Sequence, residues 1–166
     1  LASSMIMFSK LKFSNFNIKK KISVPSFDYD FVLRKKKQLS IPLIKKKYSV
    51  FLDSMLMHHD DYKSTKRNYP VTKKYFTELD RFFSTYENKN KIEVIIALHP
   101  SCNISNYRKY FNGRRCIKNQ SANLVKYAEN VFLHASTTAV NFPIIFKKPI
   151  IYLTTDELNN SFIDYK

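Results

Sequence analysis

Glycine is almost missing from this sequence: Gly113 is the only one in 166 residues. The chain therefore cannot carry a Gly-x-Gly-x-x-Gly dinucleotide loop, a Gly-Lys-Ser/Thr phosphate loop or a Gly-x-Ser-x-Gly nucleophile elbow. Cysteine is limited to Cys102 and Cys116. Two thiols make neither a disulfide framework nor a four-ligand zinc site, and they fit a reduced, cytoplasmic compartment as buried, inert groups. Acidic residues are scarce, 13 against 29 Lys and Arg, for a net charge of +16. No apolar run approaches the roughly 18–20 residues that cross a bilayer. Residues 1–13 lack a basic leader followed by a sustained apolar stretch, so no secretory signal is expected. The first residue is Leu rather than Met, which suggests a piece of a longer protein.

Basic and aromatic residues are abundant. The chain holds 14 Phe and 11 Tyr, enough apolar surface for one core at this length. Residues 1–50 carry 12 Lys and Arg against Asp28 and Asp30, or +10, leaving +6 for the other 116 residues. The charge gathers at Lys19–Lys21, Arg34–Lys37 and Lys45–Lys47. Such a surface attracts polyanions, whether nucleic acid, anionic lipid or a phosphorylated substrate. The same richness in Lys, Asn, Ile, Tyr and Phe also follows from an AT-rich coding sequence, so the clusters alone name no partner.

From Tyr48 onward, short apolar runs alternate with helical periodicity. Strands are expected at 48–52, 92–98, 115–117, 131–135 and 149–153. Between them, Pro70 opens a helix to about Tyr86 whose apolar face is Tyr75, Phe76, Leu79, Phe82, Phe83 and Tyr86. Residues 88–91 read as a polar turn. A short helix is expected over 103–111, with Gly113 as its left-handed cap, and another from a Ser121 cap to about Glu129. A further helix after Ser136 should be shortened or kinked by Pro143. Strand–helix alternation with near-continuous apolar strands predicts an α/β fold: a Rossmann-like parallel sheet with helices on both faces. Residues 48–166 would form that domain. Residues 1–47 read as a basic N-terminal segment or inter-domain linker, in which 31–33 and 39–44 could be strands.

Ligands of open parallel sheets bind beyond the carboxyl ends of the strands. Asp53, His99 with Pro100, Ser136 with Thr137 and Thr138, and Thr154 with Thr155 fall there. Hydroxyls and an imidazole with a single acid suit a phosphate better than a metal. A helix starting at the Ser136–Thr138 run would add backbone N–H groups and its positive dipole end, although Ser136 serves as well as a plain helix cap. His99 can donate to a phosphate or hold a neighbouring carbonyl. His134 is core or site lining. The run His58-His59-Asp60-Asp61 has no metal-ligand spacing and no second cluster, so no metal is expected.

The segment from Ile92 to Leu153 resembles the C-terminal, donor-binding half of bacterial GT-B glycosyltransferases of surface-polysaccharide synthesis, nearest the capsule and lipooligosaccharide sialyltransferases and polysialyltransferases. The likeness rests on Ile95-Ile96-Ala97-Leu98-His99-Pro100 as the His-Pro motif and His134-Ala135-Ser136-Thr137-Thr138-Ala139 as the Ser-Ser/Thr motif. Lys148-Pro149-Ile150-Ile151 and Tyr48-Ser49-Val50-Phe51-Leu52-Asp53 add to it. Taken from Tyr48 to Leu153, it covers about two-thirds of the chain. It implies that His99, with catalytic weight, and Pro100, Ser136, Thr137 and Thr138 hold the donor phosphate, with Asp53, His134, Thr154 and Thr155 as lining. The donor would be a CMP- or UDP-linked sugar, with no other cofactor, and the acceptor a glycan or glycolipid. Such an enzyme works in the cytoplasm, at the inner face of the bacterial membrane, where contact with anionic lipid is expected and specific nucleic acid is not. The acidic motif that supplies the family's base is missing here, so this piece alone should bind without transferring. Two other functions compete: a nucleotide-sugar epimerase, and a non-enzymatic basic module whose rings stack on nucleic-acid bases.

Overall fold

Tyr48–Leu52 (β1) is five residues of uninterrupted apolar or small side chains, all buried, which only a strand covered on both faces can accommodate. A computed structural model describes residues 26–57, 72–134 and 137–163 and places β1 at the centre of a sheet. The other strands are Glu93–Leu98 (β2), Cys116–Lys118 (β3), Val131–Leu133 (β4) and Ile150–Tyr152 (β5). They lie in the order β3-β2-β1-β4-β5, and every pairing is parallel. The Rossmann-like α/β class expected from the sequence is the observed one.

Strand alternation sorts the core into two layers. Phe51, Ile96, Leu98 and Phe132 point to one face and meet Tyr75, Phe76, Leu79 and Phe83 of helix α2 (Lys73–Asn90), with Phe111 and Leu158 beside them. Val50, Leu52, Ile95, Val131 and Leu133 point to the other and meet Leu124, Val125 and Ala128. Each such side chain, fully buried, stabilises the fold by about 1.5–3 kcal/mol relative to exposure. Across the first layer the rings pack edge to face, as Phe51 does on Phe83 at 5.3 Å and Tyr86 on Phe132 at 5.0 Å.

Helix ends show where local chemistry departs from expectation. Thr72, rather than the Pro70 region outside the described residues, caps α2 by accepting from Lys74 N–H. The helix runs on to Asn90, through the stretch expected as a polar turn, because Glu87 is held in place. Its carboxylate accepts from Val94 N–H at 2.8 Å and pairs with Arg114 at 2.9 Å, and only Lys91 turns left-handed (φ 55°). Arg114, which also pairs with Asp80, thereby ties the start of β3 to α2.

Helix α3 (Ile104–Tyr107) tightens into a 3-10 turn over Arg108–Phe111. Asn112 and Gly113 share the left-handed turn that follows, at φ 46° and 75°. Nothing lies within 4 Å of a Cβ built on Gly113, so the backbone sign and not crowding calls for glycine there. In α4 (Ser121–Tyr127), Ser121 is the first helical residue and not the cap, which is Gln120. Thr138–Val140 forms a 3-10 turn leading into α5 (Asn141–Ile145), where Pro143 sits in the first turn and needs no N–H partner. A last helix, α6 (Asp156–Ile163), follows β5.

Residues 26–47 are fastened to the second face. Helix α1 (Phe27–Arg34), which takes in 31–33 in place of a strand, meets α5 through Asn141 to Asp28 at 2.8 Å and Phe31 against Phe142. The Asn123 side chain of α4 bonds Leu43 N–H and Ile41 C=O, while Lys126 and Tyr127 both donate to Leu39 C=O. Among the described residues no helix is long and apolar enough to cross a membrane.

Candidate functional site

All five strands run the same way, so their carboxyl ends share one rim. Strand order reverses between β1 and β4, which makes that junction the topological switch point. Phe51 pairs with Phe132. Continuing the register by two places sets Asp53 beside His134, with Asp53 Oδ1 3.9 Å from His134 Nε2.

This junction is sealed. Asp53 and His134 are only 5% and 4% exposed. His134 packs edge to face on Phe51 and stacks on Tyr75. Its Nε2 accepts from Ser54 N–H at 3.0 Å, so the proton of the neutral ring sits on Nδ1 and meets the Tyr75 hydroxyl. Burial holds the imidazole neutral, pushing its pKa down to about 3. Burial also lifts the Asp53 carboxyl to about 7, outweighing the Met55 amide and Tyr107 hydroxyl that favour its charge. Through the acidic range the pair is therefore an uncharged acid beside an uncharged base. Burial raises the Tyr75 and Tyr107 hydroxyls too, with the nearby Asp53 charge adding to the shift.

Further from this junction the residues that follow the strands are less buried. His99 ends β2, half-buried, and its Nδ1 accepts from Ser101 N–H at 3.1 Å, which places the neutral ring's proton on Nε2. Pro100 is exposed in the turn that follows. Past the end of β4, Ala135 and Ser136 lie outside the described residues. Thr137 is half-buried and is the residue that caps the next turn, its hydroxyl accepting from Ala139 N–H at 3.3 Å. Thr138 is exposed within that turn. β2 and β4 flank β1, so His99 and Thr137 follow strands that end on the same rim.

No protein-family model matches this chain, and neither does any curated protein or solved structure.

At the β5 end, Thr154 donates to Asn159 Oδ1 at 2.6 Å and Thr155 accepts from Leu158 N–H at 3.2 Å. Both hydroxyls are engaged in starting α6. The run of residues 58–61 lies outside the described residues, and among those described no group of three His, Cys, Asp or Glu side chains could hold a metal ion. Burial raises both thiols to about 11, which keeps Cys102 and Cys116 protonated at neutral pH.

Sequence reasoning missed one feature of this rim. Beyond β2 and β3 a cavity of about 790 Å³ is lined by Ser101, Asn103, Ser105, Arg108 and Lys118, with Cys102 and Ile104 as its apolar wall. Lys118 is fixed there by donating to Cys102 C=O at 2.9 Å. Its lining contains two cations and no carboxylate. In a chain with 29 basic residues, these two cannot be singled out from the sequence.

Proposed function

We propose that this chain is the nucleotide-sugar-binding half of a glycosyltransferase of surface-glycan synthesis, with the donor phosphate at the carboxyl rim between β2 and β4. The observation that carries the reading is the shared rim: His99 and Thr137, 38 places apart in sequence, flank the switch point of a parallel sheet. Parallel sheets take their ligands along the carboxyl rim, and because the switch point itself is closed by Asp53, His134 and Tyr75, the proposed contacts lie to either side of it. The Ser101 amide fixes His99 with its proton on Nε2, the tautomer that donates to an anionic oxygen. As the glycosidic bond breaks, negative charge builds on the departing phosphate, and a donor already in place stabilises it without reorganisation. The Ser136–Thr138 hydroxyls belong to the same proposed grip, and a glycan or glycolipid hydroxyl is the proposed acceptor. Packing supports this reading over base stacking, because Phe51, Phe76, Phe83, Phe111 and Phe132 are spent in the core.

The test is calorimetric titration of CMP- and UDP-linked sugars into the 166-residue chain, with His99→Ala as the paired variant. Saturable binding that His99→Ala weakens by about tenfold is expected, the loss of one charge-assisted hydrogen bond. Absence of heat with every donor, in a sample shown to be folded, would overturn the reading.

A further inference from the structure

The cavity beyond β2 and β3 begins where His99 ends. Ser101, whose amide holds the His99 ring, is also the first residue of its lining. His99 is two residues from that lining, and among the described residues the charged side chains of the lining are Arg108 and Lys118. The two cations are placed by different elements: Arg108 opens the 3-10 turn after α3, and Lys118 closes β3. Lys118 keeps two ammonium hydrogens beyond the one given to Cys102 C=O. Asn103 and Ser105 are bonded to each other at 2.7 Å, which shapes the wall between them. The space is several times the size of one phosphate and falls in the range of small-molecule sites.

We infer that this cavity receives a second phosphate, so that the ligand of the rim is diphosphate-linked. One phosphate would lie against His99 and the next between Arg108 and Lys118. This rests on the donor-binding reading above for the nucleotide, but the diphosphate site itself can be tested without one. A guanidinium and an ammonium with no carboxylate among the described lining residues select for the more highly charged group.

The experiment is calorimetry on the 166-residue chain at two salt concentrations with four probes: inorganic phosphate, inorganic pyrophosphate, CMP and UDP. Pyrophosphate is expected to bind about tenfold tighter than phosphate, and UDP about tenfold tighter than CMP, the gain of roughly one charge-assisted contact. Arg108→Gln changes an exposed side chain and should weaken pyrophosphate by about tenfold, with Lys118→Gln as the second variant. Lys89→Gln removes the same charge at the end of α2 that leads into β2, at the amino-end rim of the sheet, and should stay within about twofold. Pyrophosphate binding that is absent, or that falls equally in Lys89→Gln, overturns the inference as mere attraction to a cationic surface. CMP binding as tightly as UDP, dependent on His99 and not on Arg108, also overturns it but leaves the donor reading standing. Pyrophosphate bound through Arg108 with no nucleotide bound at all upholds the diphosphate site and removes the donor reading.

Discussion

Two histidines end adjacent regions of one sheet rim and live in opposite surroundings. His134, after β4, is walled in by Phe51, Tyr75 and Asp53, with both ring nitrogens bonded inside the protein. His99, after β2, is half-buried beside an open cavity whose charged residues are both cations. The difference arises from what packs above each strand end. The α2 stripe lays Tyr75 over the β1–β4 junction, whereas the chain after His99 turns outward at Pro100 into the short α3. Position at a strand end is thus not enough to make a ligand contact. The sealed histidine holds the rim's shape, and the half-buried one lies nearer the solvent edge of the rim.

The largest expected contrast is in stability. His134→Ala removes a buried ring, leaves the Ser54 amide and the Tyr75 hydroxyl without their partner, and opens a void. It should cost about 3 kcal/mol, read from urea unfolding. His99→Ala should stay within about 1 kcal/mol, as substitutions outside the core generally do. Similar losses for the two variants would erase the distinction.

A second contrast lies in pH. In the folded chain Asp53 releases its proton near 7 and His134 takes one up only near 3, whereas unfolded reference groups titrate near 3.9 and 6.5. Between about pH 4 and 6.5 the folded pair holds one proton, on Asp53, and the unfolded pair also holds one, on His134. Their contributions to the pH dependence of stability therefore cancel. Asp53→Asn leaves only the histidine, whose unfolded form binds more protons, so stability should rise with pH from about 3 to 6.5. His134→Gln leaves only the carboxyl, whose folded form binds more, so stability should fall as pH rises from about 4 to 7. Each slope reaches at most about 1.4 kcal/mol per pH unit. Urea midpoints at pH 4, 5.5 and 7 for the parent and both variants check this. Parallel curves would show that the pair is not held uncharged.

The sheet was legible because each buried strand is a bounded apolar run, and a rim follows from strand direction alone. The contents of the rim were less so. Tyr75 reads as one more member of an apolar stripe until His134 is found beneath its hydroxyl. Nothing in the string His134-Ala135 says that Asp53, 81 places earlier, will seal it; that depends on a register two strands must share. Helix α6 escaped notice because Asn159 and Asn160 interrupt its periodicity, while Leu158 joins the core. Arg108 and Lys118 became distinctive only when the fold brought them into one lining with no carboxylate among its described residues.

The smallest expected effect separates capping from binding at the third point of the rim, Thr137. Its hydroxyl accepts from Ala139 N–H and so starts the turn into α5. Thr137→Val keeps the shape and removes the oxygen, so the cap should be lost at about 1 kcal/mol. Thr137→Ser keeps it and should be near parent stability. If the rim grips a phosphate here, Val should also weaken nucleotide binding by more than its stability loss explains, because even a slightly destabilised chain remains folded at 25 °C. Ser should bind as the parent does. Matched stability losses with unchanged binding in both variants would make Thr137 a cap alone and confine the anion grip to the β2 side, where the half-buried histidine and the cationic cavity lie.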